Sequence, residues 1–417
     1  MNRQKKKLMI LGAGVYQVPL IQQARRMGIE TLVVSVPGNY PGFAFGDKIC
    51  YEDTRDYEKI LEIARAENID GIVTTGTDVA VVTIGKVCDA LRLPGLSFEA
   101  GKVATDKMLM KQNYEKHGVR TARYRRISLE EDSKENGAAE GNKDFQIIKR
   151  LEQELAGLQF PLIFKAVDTS GSRGIVKAEN SSKFAEAYRR VRENTRKDYF
   201  IVEEFLEGEE FGAQSFVSQG KIQFILPHGD YVFQGDTGVP IGHWAPYELE
   251  QSVIEDAKEQ LQKAVIAMGL DNCALNADFI LSGGRPYVLE IGGRAGATCL
   301  AELVSLYYGY NYYEKIIQAA LGLPVDFASQ EANPNVGMLL RSEKTGSIRK
   351  IVNKNDREDK QIVEIQFDYQ AGEQVQAFRV GPHRIGHVVV KADTLEEARA
   401  KMEEALGKIE IEVEEEH

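Results

Sequence analysis

The stretch NADFILSGGRPYVLEIGGR, residues 276–294, carries two acids whose spacing invites chemistry. ALNADFIL and YVLEIGG read as strands. SGGRP between them is turn chemistry, because glycine takes positive φ freely. Pairing Ser282 with Pro286 sets a register in which Asp278 faces Glu290. Side chains alternate between the faces of a strand. One face then gathers Leu275, Ala277, Phe279 and Leu281 with Tyr287, Leu289 and Ile291, while the other sets Asn276, Asp278 and Ile280 against Gly292, Glu290 and Val288. Like charges opposed across a ladder destabilise it, so a positive group belongs between them. Two facing carboxylates suit a hard divalent cation that bridges phosphate oxygens. The alternative, a strained surface hairpin, leaves unexplained why both acids fall on the non-apolar face.

A second group lies upstream. Lys165 stands inside the apolar run FPLIFKAV, where an unpaired ammonium is costly. Five residues on, SGSRG (170–174) is a small-residue loop of the kind whose backbone N–H groups wrap phosphate oxygens. A snorkelling lysine beside an ordinary turn is the plainer reading. YFIVEEFLEGEEFGAQSF then places Glu203, Glu204, Glu207, Glu209 and Glu210 within eight residues. Such acids can accept from an adenine amine or ribose hydroxyls, or they form a solvated loop between strands. GAGVYQ (12–17) is half of a dinucleotide fingerprint, with Gln17 where the third glycine would stand.

These residues need elements to hold them. Residues 1–100 alternate strand and helix: KLMILGAG, VPLIQQARRMG, IETLVVSV, YEKILEIARAENI, DGIVTT, VAVVTIGKVCDALRL. That order predicts a parallel doubly wound sheet. From 160 the pattern turns to strand pairs with longer connections, an α+β region running to about 330. The polar segment 128–144 reads as a mobile loop, and EANPNVG as a linker into a last segment with the strands QVQAFRV and RIGHVVVKA and a helix at TLEEARAKMEEALGKI. The expected divisions are 1–104, a Rossmann-like unit; 105–205, a small lobe; 206–330, a large lobe with the acidic hairpin; and 331–417, an α+β extension.

Composition excludes several classes. The 417 residues carry a net charge of −11, and no basic face for nucleic acid is evident. Four cysteines without CxxC spacing or a His cluster argue for a reducing, cytoplasmic setting and against a zinc site. No apolar run approaches the roughly 18 residues of a membrane span.

Taken in order, Lys107 in TDKMLMK, Lys165, the glycine loop, VEEFLEG, Asp278 and Glu290 resemble the ATP-grasp superfamily over residues 1–325. The resemblance implies a two-lobed fold that grips ATP between antiparallel sheets. It implies that Lys107 and Lys165 contact phosphates and that Ser170, Gly171, Ser172 and Gly174 close over them. Glu203 and the backbone around Leu206 would hold adenine, and Glu210 the ribose. Asp278 and Glu290 would ligate Mg²⁺, with Mn²⁺ an alternative, and Arg294 would meet the reacting carboxylate or acyl phosphate. Two positions depart from the pattern. The asparagine usual two residues after the second acid is Gly292, and Asn276, across the ladder, is expected to replace it as a metal ligand. The acid often found after the ribose contact is Gln214.

DTGVPIGHWAPYEL (236–249) resembles the GH..P stretch of L-amino-acid ligases, as does RIGHVVVKADTLEEA, and makes His243 a residue for a substrate carboxylate or amine. The expected function is an ATP- and Mg²⁺-dependent, ADP-forming carboxylate–amine ligase with small-molecule partners, a homodimer being left open. Competing readings are a bicarbonate activator like carbamoyl-phosphate synthase or biotin carboxylase, a non-catalytic ATP-binding regulator, and a dehydrogenase resting on GAG alone.

Overall fold

The computed structural model describes residues 5–129, 140–169, 174–235, 238–329 and 332–415. The N-terminal unit is a parallel four-stranded sheet in the order Lys48–Tyr51, Glu30–Ser35, Lys7–Leu11, Gly71–Val73. Its strands are nearly all apolar because helices cover both faces. Tyr57–Glu67 and Val81–Leu91 pack on Met9, Leu11, Leu32 and Val34, and Val18–Arg26 packs over Leu8, Ile10 and Val33.

An antiparallel sheet follows, ordered Tyr124–Ser128, Tyr199–Glu204, Leu162–Lys165, Ile175–Ala178. One face packs Phe164, Phe200 and Val202 on the helices Glu140–Glu154 and Phe184–Asn194. The first of these helices begins inside the span expected to be loop, whose residues 130–139 lie outside the described ones. The other face meets the helix Lys107–Lys116, through Met108, Val167 and Ile201.

The largest sheet has eight strands: Arg285–Gly292, Cys273–Ser282, Glu209–Ser218, Lys221–Val232, Pro240–Ala245, Asn335–Leu340, Gly386–Lys391 and Ile362–Phe367. It runs unbroken across residue 330, since Trp244 pairs with Val336. Of the two strands expected near the C-terminus, Gly386–Lys391 joins this sheet, while QVQAFRV keeps only Gln374–Val375. The helix Leu395–Gly407 starts in a capping box of Thr394 and Glu397. The architecture is thus mixed α/β, a parallel unit followed by antiparallel sheets, as expected. No described helix is long and apolar enough to cross a membrane.

Two cores position the chemistry. The helix Gln251–Met268 lays Ala257, Leu261, Ala264 and Val265 on Phe211, Ala213, Leu275, Ala277, Phe279, Val288 and Ile291. On the opposite face, the helices Leu300–Tyr308 and Tyr312–Ala320 cover Phe216, Phe224, Leu226 and Ala274. Beyond that cover the same face turns polar.

Candidate active site

The acidic hairpin forms, and Asp278 pairs with Glu290 and Asn276 with Gly292. The turn differs from expectation. Ser282 pairs with Arg285, not Pro286, around a two-residue turn in which Gly283 and Gly284 take φ of 56° and 75°, as tight hairpins of this twist require. A bulge between Asp278 and Phe279 leaves Leu289 without a partner and restores the acid pair. Val288, expected on the polar face, therefore joins Phe279 in the core, where Tyr287 and Leu289 were expected.

Lys107 supplies the positive charge. Its Nζ donates to Glu290 Oε1 at 3.1 Å and to the Thr169 carbonyl at 2.8 Å, and Glu290 Oε2 lies 3.0 Å away. The lysine opens a helix capped by Asp106, whose carboxylate accepts from the N–H groups of Met108 and Leu109 and from the Tyr199 hydroxyl. The Asp278 side chain is exposed on the polar face of the sheet. Crowding by surrounding protein, then repulsion from Glu290 and Asp230, raises its carboxyl to about 7.

Lys165 Nζ donates to Glu203 Oε2 at 2.9 Å, and Lys111 Nζ lies 3.3 Å from Oε1. Glu203 is 2% exposed and held ionised by the two ammoniums despite burial, so its carboxylate turns inward to lysines. Lys111 is 1% exposed. Burial, partly offset by Glu203, lowers its pKa to about 8. Sequence reasoning missed it, although its spacing of four from Lys107 puts both on one helix face. One carboxylate between two ammoniums leaves one positive charge over, which suits a polyphosphate.

The polar face of the large sheet carries a second constellation that reasoning from sequence reached only through His243. Gly212 sits between Asp278 and His228 in the ladders, and a β-carbon there would lie 2.0 Å from the His228 ring. Only glycine admits the imidazole. Both His228 Nδ1, at 3.1 Å, and His243 Nδ1, at 2.7 Å, approach Asp230 Oδ1. The three ligand atoms lie close enough to hold a metal ion, but the proton positions oppose it. Gly296 N–H donates to Gln214 Oε1, which orients that amide. Gln214 Nε2 then donates to Asn276 Oδ1 at 2.5 Å and faces His228 Nε2 at 3.4 Å. His228 Nε2 is thus an acceptor, and its ring proton is on Nδ1, directed at Asp230. Burial keeps this imidazole neutral by lowering its pKa. His243 likewise donates from Nδ1, which leaves Nε2 as the nitrogen with a lone pair.

The same network includes Asn276. Its amide oxygen accepts from Gln214 Nε2, which leaves one lone pair on that oxygen and turns the N–H₂ toward the site. Trp244 turns the other way, onto Tyr231 and Arg399. After the strand Gly71–Val73, Asp78 Oδ2 accepts from Arg294 Nη2 at 2.7 Å. Gly174 takes φ 68° at the base of the small-residue loop, whose Ser170, Gly171 and Ser172 lie outside the described residues. Leu206 is half-buried and Glu210 exposed, two residues from Gly212 on the site face. Gln17 fills the GAG turn, accepting from Gly14 N–H at 2.9 Å and donating to the Thr75 carbonyl at 2.5 Å, so a dinucleotide phosphate has no room there.

The donor set fits a magnesium-type cation. Asp278 and Glu290 present carboxylates side by side, the hard oxygen ligands such a cation takes.

Comparison with known proteins agrees. Residues 158–302 match the family described as ATP-grasp domain, and residues 338–414 match L-amino acid ligase C-terminal domain 2. The chain is similar to the crystal structure of phosphoribosylglycinamide synthetase from Anaerococcus prevotii, at 32% identity and a TM-score of 0.83, over 99% of this chain and 100% of that one. It shares the fold of L-amino acid ligase from Bacillus licheniformis, at 19% identity and a TM-score of 0.76, over 99% and 100% of the two chains. Formate-dependent phosphoribosylglycinamide formyltransferase of Methanocaldococcus jannaschii is 23% identical, over 97% of each chain.

Proposed function

Because the chain belongs to the ATP-grasp family of ATP- and Mg²⁺-dependent, ADP-forming enzymes, we propose that it activates a small carboxylic acid as its acyl phosphate and passes the acyl group to an amine. The observation that carries this reading is the adjacency of two sets of groups on one sheet face. Asp278 and Glu290 pair at one point, and the Asp230–His243 dyad lies across Gly212 and His228 from them.

In this reading Asp278 and Glu290 hold Mg²⁺, which when bound neutralises charge on the phosphate oxygens. Lys107 and Lys165 face the phosphates, while Glu203, braced from behind by the buried Lys111, holds Lys165 in place. The backbone near Leu206 and the carboxylate of Glu210 take adenine and ribose, with Ser170, Gly171, Ser172 and Gly174 over the phosphates. Arg294 and the Asn276 amide donate to the carboxylate oxygens while the acid attacks the γ-phosphate and ADP leaves, and to the acyl oxygen on which charge develops when the amine adds and phosphate leaves. His243 Nε2 accepts the proton of the attacking amine, with Asp230 fixing the tautomer and steadying the imidazolium that forms.

Two classes of amine acceptor have support. An amino acid follows from the GH..P stretch and the ligase C-terminal match. An amine that carries a phosphoribosyl group, with formate as the acid, follows from the name of the formyltransferase relative and from Arg384. That arginine lies over the Tyr16 ring at 5.6 Å, beside the GAG turn, and pairs with Asp368 at 2.7 Å. ADP and phosphate release, measured against paired acids and amines that include formate with glycinamide ribonucleotide, tests both. ADP release with no pair would leave neither standing.

A further inference from the structure

A small pocket continues the polar face of the large sheet past His243, and one side chain closes its far end. His243 and Gly337 are partners across the ladder and so show the same face. A β-carbon at Gly337 would lie 2.8 Å from Cys299 Cβ, and Cys299 lines the pocket with Tyr16, Thr298, Glu302 and Arg384. The pocket therefore begins beside the imidazole that receives the amine's proton, and it ends at Tyr16, just past the GAG turn.

Tyr16 is held there from several sides. Its hydroxyl meets Thr298 Oγ1 at 3.3 Å, in the segment that follows Arg294. Arg384 lies over its ring at 5.6 Å. A β-carbon at Gly381 would lie 1.9 Å from its hydroxyl oxygen, and one at Gly76 would lie 2.6 Å from its Cβ. Two glycines from distant parts of the chain thus leave room for this one side chain, where any larger residue would overpack. The place of the ring is set jointly by the N-terminal unit, the segment after the hairpin and the approach to the strand Gly386–Lys391.

Charge adds a second limit. Asp368 takes Arg384 Nε at 2.7 Å and Nη2 at 3.4 Å, which leaves Nη1 for a ligand. Glu302, whose Oε1 accepts from the Tyr313 hydroxyl at 2.8 Å, brings a carboxylate to the same pocket. One remaining guanidinium nitrogen matches a singly charged carboxylate. A phosphate dianion there would face Glu302 and Asp368 with too little positive charge to balance it.

We infer that Tyr16 determines which amine the site accepts: its ring caps the acceptor pocket, limits the acceptor to a short amino acid and excludes an amine that carries a phosphoribosyl group. The inference rests on the acyl-transfer reading and chooses between its two acceptors. Gln17 fills the GAG turn next to the ring, so loss of the ring lengthens the pocket without emptying the turn.

The test is acceptor selectivity of the full chain with ATP, Mg²⁺ and whichever acid, among formate and the amino acids, gives most ADP release with hydroxylamine. Hydroxylamine is too small to reach the cap, so its rate normalises each variant for competent protein. The wild type should use glycine with a kcat/KM about tenfold or more above that for glycinamide ribonucleotide. Tyr16→Ala should lower this ratio by about tenfold or more, through a raised KM for glycine and new turnover of the longer acceptor. Tyr16→Phe should keep the ratio, since it loses the Thr298 contact but retains the ring. Tyr16→Leu, shorter and still apolar, should shift the ratio in the same direction and serves if Tyr16→Ala fails to fold. A wild type that prefers glycinamide ribonucleotide, or a ratio unmoved in Tyr16→Ala and Tyr16→Leu, overturns the inference and leaves acyl transfer standing. No ADP release with any acid and hydroxylamine overturns the acyl-transfer reading and the inference with it.

Discussion

Lys107 Nζ stands 3.1 Å from Glu290 Oε1 and 3.0 Å from Oε2, and it reaches them from a helix more than a hundred residues upstream of the hairpin. This one ammonium makes the Asp278–Glu290 pair tolerable in the absence of a cation. Lys107→Met should therefore lower unfolding free energy by about 1–2 kcal/mol, less than for a fully buried pair because Glu290 is partly exposed. Mg²⁺ should restore part of that loss. Denaturant titration with and without Mg²⁺ measures both, and equal stability of variant and wild type would refute the bracing role.

Glu203 is enclosed between two lysines, so removing its charge strands both. Glu203→Gln should cost about 3–5 kcal/mol, the range for a buried ion pair broken on one side. Lys165→Ala should fold with a smaller loss, because Lys111 still holds Glu203, while ATP affinity falls by about tenfold or more. Calorimetric titration with ATP and urea melts separates the two effects. An unchanged ATP dissociation constant in Lys165→Ala would remove it from the phosphate site.

The Asn276 amide is oriented through Gln214 by Gly296 N–H. Asn276→Ala should leave Mn²⁺ affinity intact and lower kcat by about 10²-fold, the low end for loss of one hydrogen-bond donor to developing charge. Weaker Mn²⁺ binding instead would return Asn276 to the metal.

Asp230→Asn leaves the sheet position filled but no longer holds the His243 proton on Nδ1. Transfer to the amine should fall by about 10²–10⁴-fold. Acyl phosphate formation, trapped with hydroxylamine, should persist. Loss of both steps together would assign the network to activation of the acid.

Asp278 gives a pH signature. Its folded pKa is about 7 against an ordinary 3.8, so between these values the folded chain binds more protons than the unfolded one. Stability from this group is constant below about pH 4, falls as pH rises toward 7, and is level again above. Asp278→Asn should remove that slope. Mg²⁺ binds the ionised form, so binding near pH 6 should release a proton. Calorimetry in buffers of different ionisation enthalpy checks this, and a binding heat independent of buffer would contradict it.

Much of this protein is legible in its order of residues, because the signals concerned are local. Alternation puts Asp278 and Asn276 on one face whatever the turn does, and it placed Glu290 opposite Asp278 even though the turn was set one residue wrong. The bulge at Leu289 cancelled that error, since burying Val288 with Phe279 outweighs an unbroken ladder. The apolar run around Lys165 and the acids after Val202 are likewise plain in the sequence, and the phosphate and nucleotide roles expected of them come from the resemblance carried by their order. What only the tertiary structure decided are the encounters between distant segments. Lys111 meets Glu203, Asp230 draws in His228 and His243, Gln214 takes the oxygen of Asn276, and Asp78 arrives beside Gly292. Each is a polar group whose burial is stable only with a partner, and the partner is set by how sheets and helices dock, a long-range property that no local period encodes.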